Sequence, residues 1–229
     1  MLQSLYGFIM LEFDREAAKI LSSQTLHIDD KTIEKSLKFI KLLFDWHDNK
    51  NLISTRDPLY FLKRDFYDTI QFSSYLKQGQ HIDVGTGAGI PGLILSILRP
   101  NDEFILVDRR EYPVRFLQHA QMVLDLDNIS IKQVDVNKLS LSSVPTSIIM
   151  KNFSNKKISN LPITKKMGYL YRLIKSRVSG DYVILVLTGS LALKMPRTLS
   201  LPNVGVASVS VKKLTSPFFN ECKYILEMI

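Results

Sequence analysis

Asp83-Val84-Gly85-Thr86-Gly87-Ala88-Gly89-Ile90-Pro91-Gly92 is the stretch on which the reading of this chain turns. A short strand, His81 to Val84, runs into it, and an apolar run, Leu93 to Leu98, leaves it. The order is strand, tight glycine loop, helix. Glycines at alternate positions let the backbone adopt positive φ and let a ligand lie directly against it. The first turn of the following helix offers N–H groups with no partner of their own. Pro91 suits that first turn, where its missing N–H does no harm. Such a loop holds a nucleotide cofactor.

Two registers compete for it. Gly87-x-Gly89-x-x-Gly92 matches the dinucleotide fingerprint, which seats a pyrophosphate on a helix N-terminus. Gly85-x-Gly87-x-Gly89 with Asp83 two residues ahead matches the loop of S-adenosylmethionine (SAM) enzymes. A carboxylate at the strand mouth repels a diphosphate and attracts a ligand that carries an ammonium and a sulfonium. Asp83 therefore favours SAM. The next strand, Glu103 to Asp108, ends in a second acid. Asp108 lies 23 residues beyond Gly85, where a ribose-binding acid belongs. The plain alternative is a glycine turn with two solvated acids.

With 229 residues, the chain has room for one large domain or one domain with an extension. Its 45% hydrophobic and 23% charged residues are those of an ordinary globular protein. No apolar run approaches the roughly 18 residues that span a bilayer. Met1 to Met10 lacks a basic n-region and reads as part of a helix rather than a signal peptide. The single cysteine, Cys222, excludes an internal disulfide and a cysteine zinc cluster. The 4 histidines have no metal-ligand spacing, so no metal is expected. A cytoplasmic protein with no membrane association follows.

The charge is unevenly placed. Residues 1–75 hold 10 Lys/Arg against 11 Asp/Glu, and residues 76–229 hold 20 against 11. The net charge of +8 thus comes from the second part. No acid occurs between Asp135 and Asp181, an interval that carries nine cations, among them Lys138, Lys151, Lys156, Lys157, Lys165 and Arg172. A basic surface beside a cofactor site suits a polyanionic partner, most simply nucleic acid.

Along the chain, residues 1–75 read as helical. Met1 to Leu21 has a mixed helical pattern. Asp29 or Asp30 caps a second helix from Lys31, with Ile33, Leu37, Ile40 and Phe44 on its buried face. Trp46 closes that helix against the core. Pro58 starts a third helix from Leu59 to Tyr75. From His81 the grammar becomes alternating strand and helix, the sign of a parallel sheet. Strands are expected at His81–Val84, Glu103–Asp108, Ile129–Asp135, Ser147–Met150 and Tyr182–Leu187, with helices at Tyr112–Leu126 and within Lys165–Val178. Val204–Leu214 and Tyr224–Ile229 are two strands with only a loop between them. The expected fold is α/β: a Rossmann-like SAM-dependent methyltransferase sheet over residues 76–229, ending in an antiparallel strand pair, with an N-terminal helical extension over residues 1–75.

These residues resemble a known family, the bacterial 16S ribosomal RNA guanine-N7 methyltransferases, also called the glucose-inhibited division protein B family. The resemblance runs from about Trp46 to the C-terminus and is closest up to Leu126. It rests on Asn51-Leu52-Ile53-Ser54 with Arg56-Asp57-Pro58, on Asp68, on Asp83 to Gly92 with its Ile90-Pro91-Gly92 ending, and on Val114-Arg115-Phe116-Leu117. It implies SAM contacts at Gly85 and Ile90, an adenine pocket at Val136 and Asn137, and a basic contact at Lys151. Together with the reading of the loop, the cofactor-binding candidates are Asp83, Gly85, Gly87, Gly89, Ile90, Asp108, Val136, Asn137 and Lys151. The chain departs from the family pattern at four places. Lys151-Asn152 stands for Arg-Ala, Val136-Asn137 for an apolar residue and Glu, Thr188-Gly189 for Lys-Gly, and Asp65 for a histidine.

The resemblance implies methyl transfer to N7 of a guanine in 16S RNA, with ribosomal RNA or the small subunit as partner. Guanine N7 has a free lone pair, so no catalytic base is expected; alignment of the reactants is the task. Two alternatives stay open: a SAM enzyme for another RNA or for protein, and a non-catalytic RNA-binding module with a vestigial cofactor fold.

Overall fold

The computed structural model describes residues 15–17, 19–22, 28–47, 51–141, 144–153, 158–201 and 205–229. Residues 15–17 and 19–22 are helical, and the rest of the expected first helix lies outside the described residues. The next helix, α1, spans Asp30–His47. Asp29 caps it, with its Oδ1 accepting the Thr32 N–H at 2.7 Å, as a short acceptor just ahead of a helix does. The third helix bends through two states. It begins as α2 (Pro58–Phe61), capped by Asp57. It widens into a π-helical segment, Leu62–Phe66, and resumes as α3 (Tyr67–Ser73). Pro58 at its first turn fits the expected start; the π segment left no mark in the apolar spacing.

The remaining elements are β1 (Gln80–Val84), α4 (Gly92–Leu98), β2 (Glu103–Asp108), α5 (Glu111–Leu124), β3 (Ile129–Gln133), β4 (Ser147–Lys151), α6 (Ile163–Lys175), β5 (Val183–Thr188), β6 (Thr198–Leu201), β7 (Gly205–Leu214) and β8 (Lys223–Met228). The eight strands form one sheet in the order β3-β2-β1-β4-β5-β8-β7-β6. The first five are parallel, and β8, β7 and β6 continue antiparallel. The expected α/β fold is therefore present, with two differences. β3 stops at Gln133, because Asp135 caps a 3-10 turn over Val136–Lys138 instead of extending the strand. The terminal antiparallel pair is a triplet, because β6 adds to the edge. β6 has only 4 residues, and at that length it carries no alternation long enough to read. Residue 204, the expected start of β7, lies outside the described residues.

Alternate strand residues face two apolar layers, as the pleat requires. Phe104, Leu106, Ile149, Leu185 and Ile225 join a layer built with α4, α5 and the N-terminal helices. Ile105, Val107, Ile148, Ile184 and Leu226 join a layer built with α6. Phe39, Phe61, Phe66 and Phe72 are fully buried in the first layer, so residues of the N-terminal helices share a core with the sheet. Trp46 is half-buried, and its ring lies within 5.6 Å of Phe116 and Tyr112 and 5.5 Å of His119. It closes α1 against α5 as expected.

Gly92 shows how tightly α4 is set on the sheet. A Cβ there would stand 2.5 Å from Leu106 Cδ2 and 2.6 Å from Asp83 Oδ2. Gly92→Ala is therefore expected to destabilise the fold by about 1–3 kcal/mol, the usual cost of overpacking. A lowered urea midpoint checks this, and an unchanged midpoint contradicts it.

Candidate active site

The loop from β1 to α4 is fastened from below. Asp83 is buried at the end of β1. Its Oδ2 accepts the Thr86 hydroxyl at 2.7 Å and the Gly92 N–H at 2.8 Å. Its Oδ1 is buried without a hydrogen-bond partner. Burial pushes the Asp83 carboxyl up to about 6, against the pull of those two donors. Gly85 and Thr86 both donate their N–H groups to the Val107 carbonyl, at 2.8 and 3.1 Å, which ties the loop to β2. Gly85 adopts φ +75°, and a Cβ there would meet the Phe153 ring at 2.7 Å. Only glycine serves at such a place.

Asp108 ends β2 beside this loop. Its Oδ2 accepts the Gly87 N–H at 2.9 Å and Arg110 Nη2 at 3.1 Å. Its Oδ1 accepts the Arg110 N–H at 2.9 Å and Arg110 Nε at 3.2 Å. Burial raises its pKa, but the bonds and charge of Arg110 outweigh that and hold it below the usual carboxylate range. Beyond β3, Asp135 Oδ1 accepts the backbone N–H of Asn137 at 2.9 Å and its side-chain Nδ2 at 2.7 Å. Asn137 is thereby fixed in direction, and Val136 is buried beside it.

These strand ends enclose an open cavity of about 790 Å³. Gly85, Asp108, Val136 and Asn137 share its wall. The structure does not put the other candidates there. Asp83 lies beneath the loop, Gly87 joins the loop to Asp108, and Gly89 and Ile90 lead into α4. Arg110, Asp135, Phe153 and Tyr169 also line the wall, and sequence reasoning missed them. Asp135 could have been found, since acids also close β1 and β2. Phe153 and Tyr169 carried no local signal.

Lys151 ends β4 and points its charge elsewhere. Its ammonium is engaged by Asp65 of the π segment. Asp65 Oδ2 also takes Arg64, with Nη2 at 2.6 Å. Burial raises the Asp65 pKa, and the two cations bring it below the ordinary value. Asp68, one turn on, is 5% exposed. Burial drives its pKa up to about 6 despite the opposing charge of Lys151. The basic stretch is divided: Lys138, Lys165, Arg172 and Arg177 are exposed, whereas Lys151 is paired inside. Lys156 and Lys157 lie outside the described residues.

Comparison with known proteins agrees with this arrangement. A family model described as rRNA small subunit methyltransferase G matches residues 32–176. A protein of that name from Pasteurella multocida is 36% identical over 162 residues, 68% of this chain and 76% of that protein. Another from Yersinia enterocolitica is 34% identical over 136 residues, 59% of this chain and 66% of that protein. The chain thus spans about two thirds to three quarters of the length of these relatives. The fold is also that of the Haemonchus contortus phosphoethanolamine N-methyltransferase 1, with a TM-score of 0.53, 11% identity, and coverage of 86% of this chain and 49% of that one. The DhpI–SAH complex is similar too, with a TM-score of 0.51, 11% identity, and coverage of 87% and 97%.

The buried Asp68, one turn on from Asp65, has a measurable signature. Burial holds the Asp68 carboxyl at about 6 in the folded protein, above the ordinary carboxylate value. Its stabilising contribution is full below about pH 4 and is lost as pH rises through 6. Asp68→Asn is therefore expected to gain stability on wild type between pH 4 and pH 7, on the order of 1–3 kcal/mol. Chemical denaturation at the two pH values measures it; a difference that does not change with pH contradicts it.

Proposed function

The chain belongs to the rRNA small subunit methyltransferase G family, and on that premise we propose that it transfers a methyl group from SAM to N7 of a guanine in the 16S RNA of the small ribosomal subunit. The observation that carries this reading is the cavity where the mouths of β1, β2 and β3 converge on Gly85, Asp108 and Asn137. It lies beside β1 and β4, between which the strand order reverses, and open α/β sheets bind ligands at that point. Its volume of about 790 Å³ suits a nucleoside-sized ligand.

The residues present fit SAM. Asp108, held ionised, accepts the ribose hydroxyls once the exposed Arg110 side chain gives up its two bonds to the carboxylate. Val136 and the fixed Asn137 flank the adenine. Gly85, whose missing side chain gives way to the Phe153 ring, brings bare backbone to the cavity wall beside that ring, and Asp83 stiffens that backbone from below. Bound there, SAM supplies a methyl group on a positively charged sulfur. The chain itself orients the acceptor and excludes water, and no side chain needs to remove a proton from N7 before attack. Lys151, held by Asp65, faces the acceptor side and positions the substrate there. Exposed Lys138, Lys165, Arg172 and Arg177 hold RNA phosphates. Residues 1–75 act as a helical extension that builds the acceptor side of a methyltransferase domain over residues 76–229. The protein works in the cytoplasm on ribosomal RNA; among the described residues, no helix is long and apolar enough to cross a membrane.

Three measurements test this. Asp108→Ala is expected to weaken SAM binding about 10-fold or more, the effect of removing a charged acceptor; calorimetry showing unchanged affinity contradicts the ribose assignment. RNA affinity is expected to fall steeply with added salt, through counterion release; a flat salt dependence contradicts the phosphate role of the basic residues. Labelled SAM is expected to mark the 16S RNA at a guanine N7 in small subunits from cells lacking this protein. SAM binding with no label in the RNA points instead to another acceptor.

A further inference from the structure

Beside the cofactor cavity the sheet carries a second feature at the same edge. The loop between β7 and β8 emerges where Thr188 of β5 pairs with Tyr224 of β8, next to the C-terminal end of the parallel strands. Gln71 of α3 pins that loop through two bonds to the backbone of Thr215, at 2.6 and 3.1 Å. The loop brings Phe218 and Phe219 against the helix that carries Tyr60 and Tyr67. Phe219 meets the Tyr60 ring edge-on at 5.4 Å, and Phe218 meets Tyr67 at 5.2 Å. Tyr60 is 38% exposed, and of the aromatic residues described only Tyr75 stands as open to solvent. The Arg64 guanidinium lies 4.9 Å from the Tyr60 ring centroid. It is held there by Asp65 Oδ2, with Nε at 2.8 Å, and by Ser54 Oγ at 3.3 Å. The same Asp65 engages Lys151, whose neighbours Asn152 and Phe153 line the cofactor cavity.

A packing role for the helix and loop explains Phe218, Phe219 and Tyr67, which are half-buried. It does not explain why an exposed tyrosine carries a fixed guanidinium plane. Exposed aromatic rings and Arg planes are what unpaired bases stack on. We propose that Tyr60, Phe219 and Arg64 form a stacking platform for unpaired bases of the RNA that flank the methylated nucleotide. The inference rests on the RNA reading above and adds to it a binding surface away from the cofactor. Attack on N7 requires the target guanine to reach the cavity, which suits a single-stranded or splayed-out segment. The platform holds the neighbours of that base, and the ion-paired Asp65 and Lys151 keep it in register with the cavity.

Binding of 16S RNA to the full chain tests this, with Tyr60→Leu and Phe219→Leu compared with wild type. Leucine preserves apolar packing and removes the ring. Each variant is expected to raise the Kd for RNA about 10-fold, because base stacking on one ring contributes on that scale. The slope of log affinity against log salt should stay at the wild-type value, since no phosphate contact is lost. SAM affinity and Tm should not move, and Tyr60→Phe should bind RNA as wild type does. Leucine variants with wild-type RNA affinity, or a loss matched by a lowered Tm that Tyr60→Phe shares, would overturn the platform alone. A wild-type chain that bound no RNA would overturn both the platform and the RNA reading beneath it.

Discussion

A buried carboxylate with one committed oxygen sets the geometry of this protein. Asp83 Oδ2 binds both ends of the glycine loop, at the Thr86 hydroxyl and the Gly92 N–H. Gly92 must lack a side chain because Leu106 and Asp83 fill the space where one would go. Once the loop is fastened in this way, Gly87 reaches Asp108 and the mouth of β2 is fixed with it. The cavity wall is thus assembled from three strand ends that share hydrogen bonds rather than from a flexible loop. Asp83 Oδ1 remains without a partner in a buried place, which is costly in a fold with no use for it. Such strain is what a ligand-binding edge retains.

The Asp65–Lys151 contact follows a different logic. Two of the positions at which the chain departs from the family pattern, Asp65 and Lys151, are in contact with each other. The resemblance leads one to expect an arginine and a histidine at these two places, and a lysine and an acid that bind each other stand there. The result is a half-buried pair that Arg64 extends into a row of cation, acid and cation. Pairs of this kind set position more than they add stability. The π segment Leu62–Phe66 carries both Arg64 and Asp65, and such local widening recurs at functional sites. Asp65 and Lys151 are therefore coupled to each other, whereas Val136 and Asn137 stand apart from them in the cavity wall.

Much of the fold was legible because its signals are local. The glycine loop, the strand-terminal Asp108 and the apolar strands each lie within a few residues, and the parallel order follows from strands alternating with helices. Asp108 and Gly85 could be named for the same reason. What was not legible depends on contacts far apart in sequence. Lys151 was expected as a basic contact at the cofactor, and only the fold shows Asp65, 86 positions away, on its ammonium. Asp83 looked like a ligand contact, and the structure shows it fastening the loop from beneath. Phe153 and Tyr169 reach the cavity from β4 and α6, with nothing in their neighbours to mark them. β6 was missed because four residues at a sheet edge carry too little pattern.

SAM bound on the glycine loop and against the turn after β3 would protect both from exchange. Hydrogen exchange on the full chain, with and without SAM, tests it most directly. Slower exchange at residues 85–89 and at 136–138, with residues 58–73 unchanged, is the result this account predicts. SAM that binds and slows exchange only elsewhere, or that does not bind at all, would contradict it.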